Sequence, residues 1–271
     1  MDLNLEGKRA LVTGSTAGIG AEIARVLARE GAAVAISGRS ERRGRALVDE
    51  INGAGGKAVL ALGDVADDAG ADAAAAAALE GLGGVDILVN NAGGFAGSST
   101  VSTLFGVPAS DWARTADMNV GAAVRMIQRL VPAMRERGWG RVIQITSSAA
   151  MTPSGETPDY AAAKAAMANL SLTVAKALRN TGVTANTVSP GIVLTRSVVR
   201  WFKQIGEREG WGDDLAKSED WLLKHHHPQL VGRIGRVEDI ADAVAFLSSG
   251  RADYINGANI RIDGGASPSL N

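Results

Sequence analysis

A chain of 271 residues with 28 basic and 29 acidic side chains, 46% hydrophobic residues and no cysteine excludes several classes at once. Near-neutral charge leaves no electrostatic footprint for nucleic acid or anionic lipid, and without cysteine there is no disulfide framework, thiol nucleophile or thiolate metal site. With no basic-then-apolar leader and no apolar run near the roughly 18 residues of a membrane span, the expectation is a soluble, cytoplasmic protein whose partner is a small molecule.

In chain order, the first strand-length apolar run is Arg9 to Thr13. It is followed by Thr13-Gly14-Ser15-Thr16-Ala17-Gly18-Ile19-Gly20, which opens a helix over 18–30. Backbone N–H groups at such a helix start bind pyrophosphate, and glycines let the backbone come close. The spacing is Gly-x-x-x-Gly-x-Gly, not the general Gly-x-Gly-x-x-Gly, so the candidates are Gly14, Ser15, Gly18, Ile19 and Gly20. A second strand, Ala33 to Ser37, ends in Gly38-Arg39-Ser40. This is where a dinucleotide fold reads the adenosine ribose, an acid favouring NAD and an arginine NADP. The strand end has no acid, so Arg39 favours NADP(H) over NAD(H), although it could also belong with Arg42 and Arg43 to a solvated start of the helix over 41–53. Next come a third strand, Lys57 to Leu62, and a helix over 67–82 whose alanine run from Ala69 to Leu79 reads as a surface helix with little to bury.

The fourth strand, Asp86 to Asn90, leads into a Gly/Ser/Thr-rich loop from Gly93 to Pro108, then a helix over 110–137 containing Asn119. The fifth strand, Arg141 to Thr146, runs straight into Ser147, where an open α/β sheet presents its ligand crevice. On the helix over 160–181, Tyr160 and Lys164 lie four residues apart and share a face. After the sixth strand, Thr184 to Ser189, the segment Ile192 to Leu230 reads as irregular, the pattern of a functional loop or lid. Its tryptophans, Trp201, Trp211 and Trp221, could cover an apolar or ring-containing substrate, or pack the lid or a subunit contact. Consecutive His225, His226 and His227 point in different directions and have no suitably spaced carboxylate, so no metal site is expected. A helix over 237–248 and a seventh strand, Asn259 to Ile262, complete the pattern. Strict alternation means a doubly wound parallel α/β sheet of about seven strands, Rossmann-type, with helices on both faces. No linker or internal repeat interrupts it, so one domain over 1–271 with a substrate lid at about 192–231 is expected.

These pieces together resemble the short-chain dehydrogenase/reductase family, with the 3-oxoacyl-carrier-protein reductases closest in character. The match runs over nearly the whole chain: the glycine loop, Asp64-Val65, Asn90-Asn91-Ala92-Gly93, Asn119, Ser147, Tyr160 to Lys164, and Pro190-Gly191-Ile192 followed by Thr195. The resemblance implies Tyr160 as general acid or base, with Lys164 and the oxidised nicotinamide's positive charge lowering its pKa from the ordinary value near 10. Ser147, with Ser148 as its neighbour and competitor, would bond the substrate oxygen, and Asn119 would help anchor a proton-relay water. By the same resemblance Gly14, Gly18, Ile19 and Gly20 serve the pyrophosphate, and Asp64 and Val65 the adenine. Asn91, Ala92 and Gly93 serve the ribose, Lys164 the nicotinamide ribose, and Pro190, Gly191, Ile192 and Thr195 the nicotinamide end. Asp64 could otherwise be only the N-cap of the alanine-rich helix.

The function expected is an NADPH-dependent reductase of a ketone or 3-oxoacyl substrate, reversible as a secondary-alcohol dehydrogenase, without a metal, and assembled as a homotetramer or a dimer. The alternatives are an NAD-preferring alcohol, sugar or steroid dehydrogenase, and a non-catalytic dinucleotide-binding redox sensor.

Overall fold

The computed structural model describes residues 2–96, 104–225 and 229–268. Seven strands, β1 (Arg9–Val12), β2 (Ala33–Gly38), β3 (Lys57–Leu62), β4 (Ile87–Asn90), β5 (Gly140–Ile145), β6 (Val183–Pro190) and β7 (Asn259–Ile262), form one sheet in the order β3-β2-β1-β4-β5-β6-β7. Every pairing is parallel, with register such as Val12 beside Ile36 and Val89, and Asn90 beside Gln144. The strand order reverses between β1 and β4, and it is there, beyond the carboxyl ends of the strands, that an open α/β sheet leaves its crevice.

Alternate side chains of each strand feed two cores. Val12, Val34, Ile36, Ile87, Val89 and Ile143 pack on one face with helices α1 (Gly18–Arg29), α2 (Glu41–Gly53) and α9 (Val237–Ser248). Leu11, Ala35, Leu88, Val142 and Ala185 pack on the other with α3 (Asp68–Leu82), α5 (Ala122–Arg137) and α6 (Pro158–Ala177). Both faces are covered, so each fully buried Leu or Ile contributes roughly 1.5–3 kcal/mol.

Three expectations change. The alanine-rich α3 is not a bland surface helix: Ala71, Ala74, Ala75 and Ala78 are buried on the sheet, since methyl side chains let its backbone approach closely. The helix expected over 110–137 is α4 (Ala109–Ala116) and α5 joined by a π-turn, Asp117–Gly121. The segment read as irregular holds two helices, α7 (Arg196–Glu209) and α8 (Leu215–His225), which bury Phe202, Ile205 and Leu222 with Ile234 in a small third core. Trp211 and Trp221 pack against that core. Residues 97–103 of the expected loop, together with His226 and His227, lie outside the described residues. His225 is exposed, its ring 5.7 Å from that of Trp221. Among the described residues no helix is long and apolar enough to cross a membrane, and no His, Cys, Asp and Glu cluster is arranged for a metal ion.

Candidate active site

The glycine-rich turn between β1 and α1 is held by its neighbours. Thr13 Oγ1 accepts the backbone N–H groups of Asn91 and Ala92, and Asn91 Nδ2 donates to Thr13 O at 2.9 Å and Gly14 O at 3.3 Å. Ser15 is fully buried; its hydroxyl donates to Val12 O and accepts Ser37 N–H, so it sets the shape of the turn and does not line the cleft. Asn91, expected near the ribose, has its side-chain amide bound to the same turn. The outcome is a helix start without a side-chain cap: nothing on Ala17 covers the first N–H groups of α1, and its first turn carries no acid. Helix α3, by contrast, is capped by Asp67, whose carboxylate accepts Gly70 N–H at 2.7 Å. Asp64 is therefore not the cap of α3. The bare N-terminus of α1 is the arrangement a pyrophosphate requires.

Beyond that turn lies a cleft of about 410 Å³ lined by Gly14, Thr16, Gly38, Arg39, Arg43, Asp64, Val65 and Ala92 among others. Arg39 and Asp64 face each other across it at 3.5 Å. The Ser37 hydroxyl at its base is buried without a partner, so the cleft holds an unsatisfied hydrogen-bonding group. A Cβ on Gly38 would stand 2.9 Å from Thr16 Cγ2, so Thr16 occupies the space an acidic side chain there would need. Thr16 and Arg43 were missed from the sequence: Thr16 is one of several polar residues in the loop, and Arg43 reads as a solvated helix residue. An uncapped helix start, an unpartnered hydroxyl and two arginines, one of them paired with Asp64, fit a dinucleotide.

The second part of the cleft, about 370 Å³, is lined by Ile19, Gly93, Phe95, Ser147, Tyr160, Lys164, Pro190, Gly191, Ile192, Thr195 and Trp201 among others. Ser147 caps the 3-10 turn after β5, its Oγ accepting Ala149 N–H, and its hydroxyl is near enough to the Tyr160 phenol to favour the phenolate. Ser148 begins that turn and does not line the cleft. Lys164 is buried one turn along α6 from Tyr160, donating from Nζ to Ile145 O at 3.0 Å, with Nζ 5.5 Å from the centre of the Tyr160 ring. Asn119 sits in the π-turn. Its Nδ2 donates to Gly94 O and Thr115 O, both at 2.8 Å, and its Oδ1 accepts Gly94 N–H. A Cβ on Gly93 would lie 2.3 Å from Asn119 Oδ1 and 3.2 Å from Lys164 Nζ, so only glycine fits between them. Thr115, also missed from the sequence, is fully buried and donates to Asp159 Oδ2 at 2.7 Å while accepting Ala96 N–H, which ties the start of α6 to α4 and the 94–96 loop.

Burial decides the electrostatics. It pulls the Lys164 ammonium down to about 8 from its ordinary 10.5. Burial also pushes the Tyr160 phenol up, and the Ser147 hydroxyl only partly offsets this. The expected lowering of Tyr160 by Lys164 is thus not produced by the protein's own groups: Lys164 Nζ is directed to a carbonyl of β5 rather than to the phenol oxygen.

The family profile described as short chain dehydrogenase matches residues 8–206. The chain belongs to the short-chain dehydrogenase family. It is accordingly an NAD(P)-dependent oxidoreductase acting on CH–OH and C=O groups. The uncharacterized oxidoreductase YvaG of Bacillus subtilis strain 168 is 40% identical over 266 residues, 98% of each chain. L-sorbose reductase from Gluconobacter frateurii, solved with NADPH and L-sorbose, superposes with a TM-score of 0.92 at 32% identity, covering 100% of both chains. The 7alpha-hydroxysteroid dehydrogenase of Escherichia coli K12 is 33% identical over 273 residues, 100% of this chain and 98% of that one. A solved 7alpha-hydroxysteroid dehydrogenase, with NADH and 7-oxo glycochenodeoxycholic acid, gives a TM-score of 0.82 at 32% identity, covering 100% of this chain and 98% of that one.

Proposed function

We propose that this protein is an NADPH-dependent reductase of a carbonyl substrate, reversible as a secondary-alcohol dehydrogenase. The observation that carries this reading is the convergence of the Ser147 hydroxyl, the Tyr160 phenol and the buried Lys164 ammonium on one cleft. NADPH, when bound, supplies the hydride. The first-turn N–H groups of α1 hold its pyrophosphate, Arg39 and Arg43 its ribose phosphate, and Ile192 and Thr195 border its nicotinamide end. Ser147 donates to the substrate oxygen and fixes the carbonyl, while Tyr160 Oη delivers its proton to that oxygen. The raised Tyr160 keeps the phenol protonated at neutral pH, which suits reduction. Lys164 would hold the nicotinamide ribose, and Asn119, whose Oδ1 borders Gly93 as Lys164 Nζ does, would anchor the relay that restores the proton. A preference for NADPH is supported by Arg39 and by the exclusion of an acid at Gly38, and the sorbose reductase was solved with that cofactor.

The proposal extends to one catalytic domain over 1–271 with its lid at about 192–231, working in the cytoplasm as a homotetramer. The exposed Leu172 on α6 offers apolar surface for a contact between subunits. Tyr160→Phe tests the chemistry: turnover of carbonyls with NADPH should fall roughly a thousandfold while NADPH affinity, measured by fluorescence titration, is kept. Retained turnover in that variant would refute the assignment.

A further inference from the structure

We infer that the cleft selects an uncharged ketone bearing an aromatic or alicyclic ring, clasped between Phe95 and Trp201. The inference rests on the reductase reading above and adds the substrate class.

Adjacent helical residues point about 100° apart, and α7 uses this to divide two aromatics. Phe202 is fully buried in the lid core, so Trp201 is turned away from it, remains 38% exposed and lines the cleft. Trp211 and Trp221 face the lid core instead. Phe95 lines the same part of the cleft, 46% exposed, and sets its ring centre 4.5 Å from that of Tyr160 at 34°. Two large exposed aromatics therefore line the same part of the cleft as Tyr160, where a flat or alicyclic group gains contact area and an edge or face partner.

The polar groups of the same wall point to what is rejected. Asn91 is bonded to the glycine turn, Thr146 Oγ1 to Val188 O and Ser189 Oγ, and Thr195 Oγ1 to Ser197 Oγ. Among the described residues lining this part, the Asn91, Thr146 and Thr195 side chains thus already have partners within the protein, which leaves Ser147, Tyr160 and the Trp201 indole N–H to meet a polar ligand. Among the described lining residues Lys164 is the one charged side chain, and it is buried against the β5 carbonyl. A chain of hydroxyls or an anionic group would give up its hydration here without replacement. The space, about 370 Å³ and shared with the nicotinamide, is at the small end for a ligand site and suits one or two rings.

The experiment compares kcat/KM with NADPH for 1-tetralone and acetophenone against L-sorbose and acetoacetyl-coenzyme A. The ring ketones should exceed the other two about tenfold or more. In Trp201→Ala and Phe95→Ala that ratio should fall about tenfold, mainly through KM, and Trp201→Phe should recover most of it. A titration with 1-tetralone should quench tryptophan fluorescence in the native protein, and the change should be lost in Trp201→Phe. Preference for L-sorbose or the thioester, or a ratio that stays within about twofold in Trp201→Ala, overturns the inference and leaves the reductase reading standing. If no carbonyl is reduced, the reductase reading falls and the titration decides: a Trp201-dependent response sustains ring binding, and no response removes it.

Discussion

At the adenosine end of the cleft the side chains of Arg39 and Asp64 are 74% and 42% exposed, whereas at the nicotinamide end Lys164 is only 3% exposed and sits under β5. The difference is one of cost. An arginine in solvent keeps its hydration and can be exchanged with little effect on folding, while a buried ammonium is desolvated and works against stability even as it serves the chemistry. On the proposed reading, cofactor choice is thus written on the surface and catalysis in the core.

The sharpest way to break that contrast is Lys164→Met. Carbonyl reduction should drop roughly a hundredfold or more, yet the melting temperature should rise, because an apolar side chain replaces a buried charge. The sign follows from the lowered pKa: between about 8 and the ordinary 10.5 the unfolded chain binds more protons than the folded one, so native stability climbs as pH rises through that window. The thermal advantage of the variant should accordingly be largest below pH 8 and fade by pH 10, as followed by circular dichroism; a variant that melts lower at pH 7 would contradict the reading. Next in size is Arg39→Ser, which should reduce the ratio of kcat/KM with NADPH to that with NADH roughly tenfold without shifting the melting temperature. An unchanged ratio would remove Arg39 from cofactor selection. Smallest is Asp67→Ala, which removes a cap from a helix start that the proposal leaves free of ligand. It should cost about 1 kcal/mol, a fall of roughly 2–4 °C in Tm, with kinetic constants untouched; a change in NADPH affinity would show that the capped and uncapped helix starts are not separate devices.

Much of this was legible in the sequence because it is local. Strand runs and the spacing of Tyr160 and Lys164 on one helix face depend on neighbours within a few residues, and Ser147 follows its strand directly. What escaped depends on distant partners. Ser15 reads as a pyrophosphate ligand until β2 is brought beside it and Ser37 N–H donates to its hydroxyl. Thr115 looks like any helical threonine until Asp159, 44 residues later, meets it. The fates of Trp201, Trp211 and Trp221 follow from which face of α7 and α8 meets Ile234, and no short-range pattern encodes that. Helices α7 and α8 bury their apolar sides, with Ile234, in a small core separate from the two that cover the sheet.

The π-turn at Asp117–Gly121 limits how this stretch can vary over evolution. A residue gained or lost between the start of α4 and the turn would carry Asn119 about 100° around the helix axis, away from the carbonyl of Gly94. Substitutions nearby leave that angle alone. Chain length in this stretch is therefore under tighter constraint than residue identity, and insertions are better tolerated in surface turns such as the one around Gly55 than anywhere between Ala109 and Asn119.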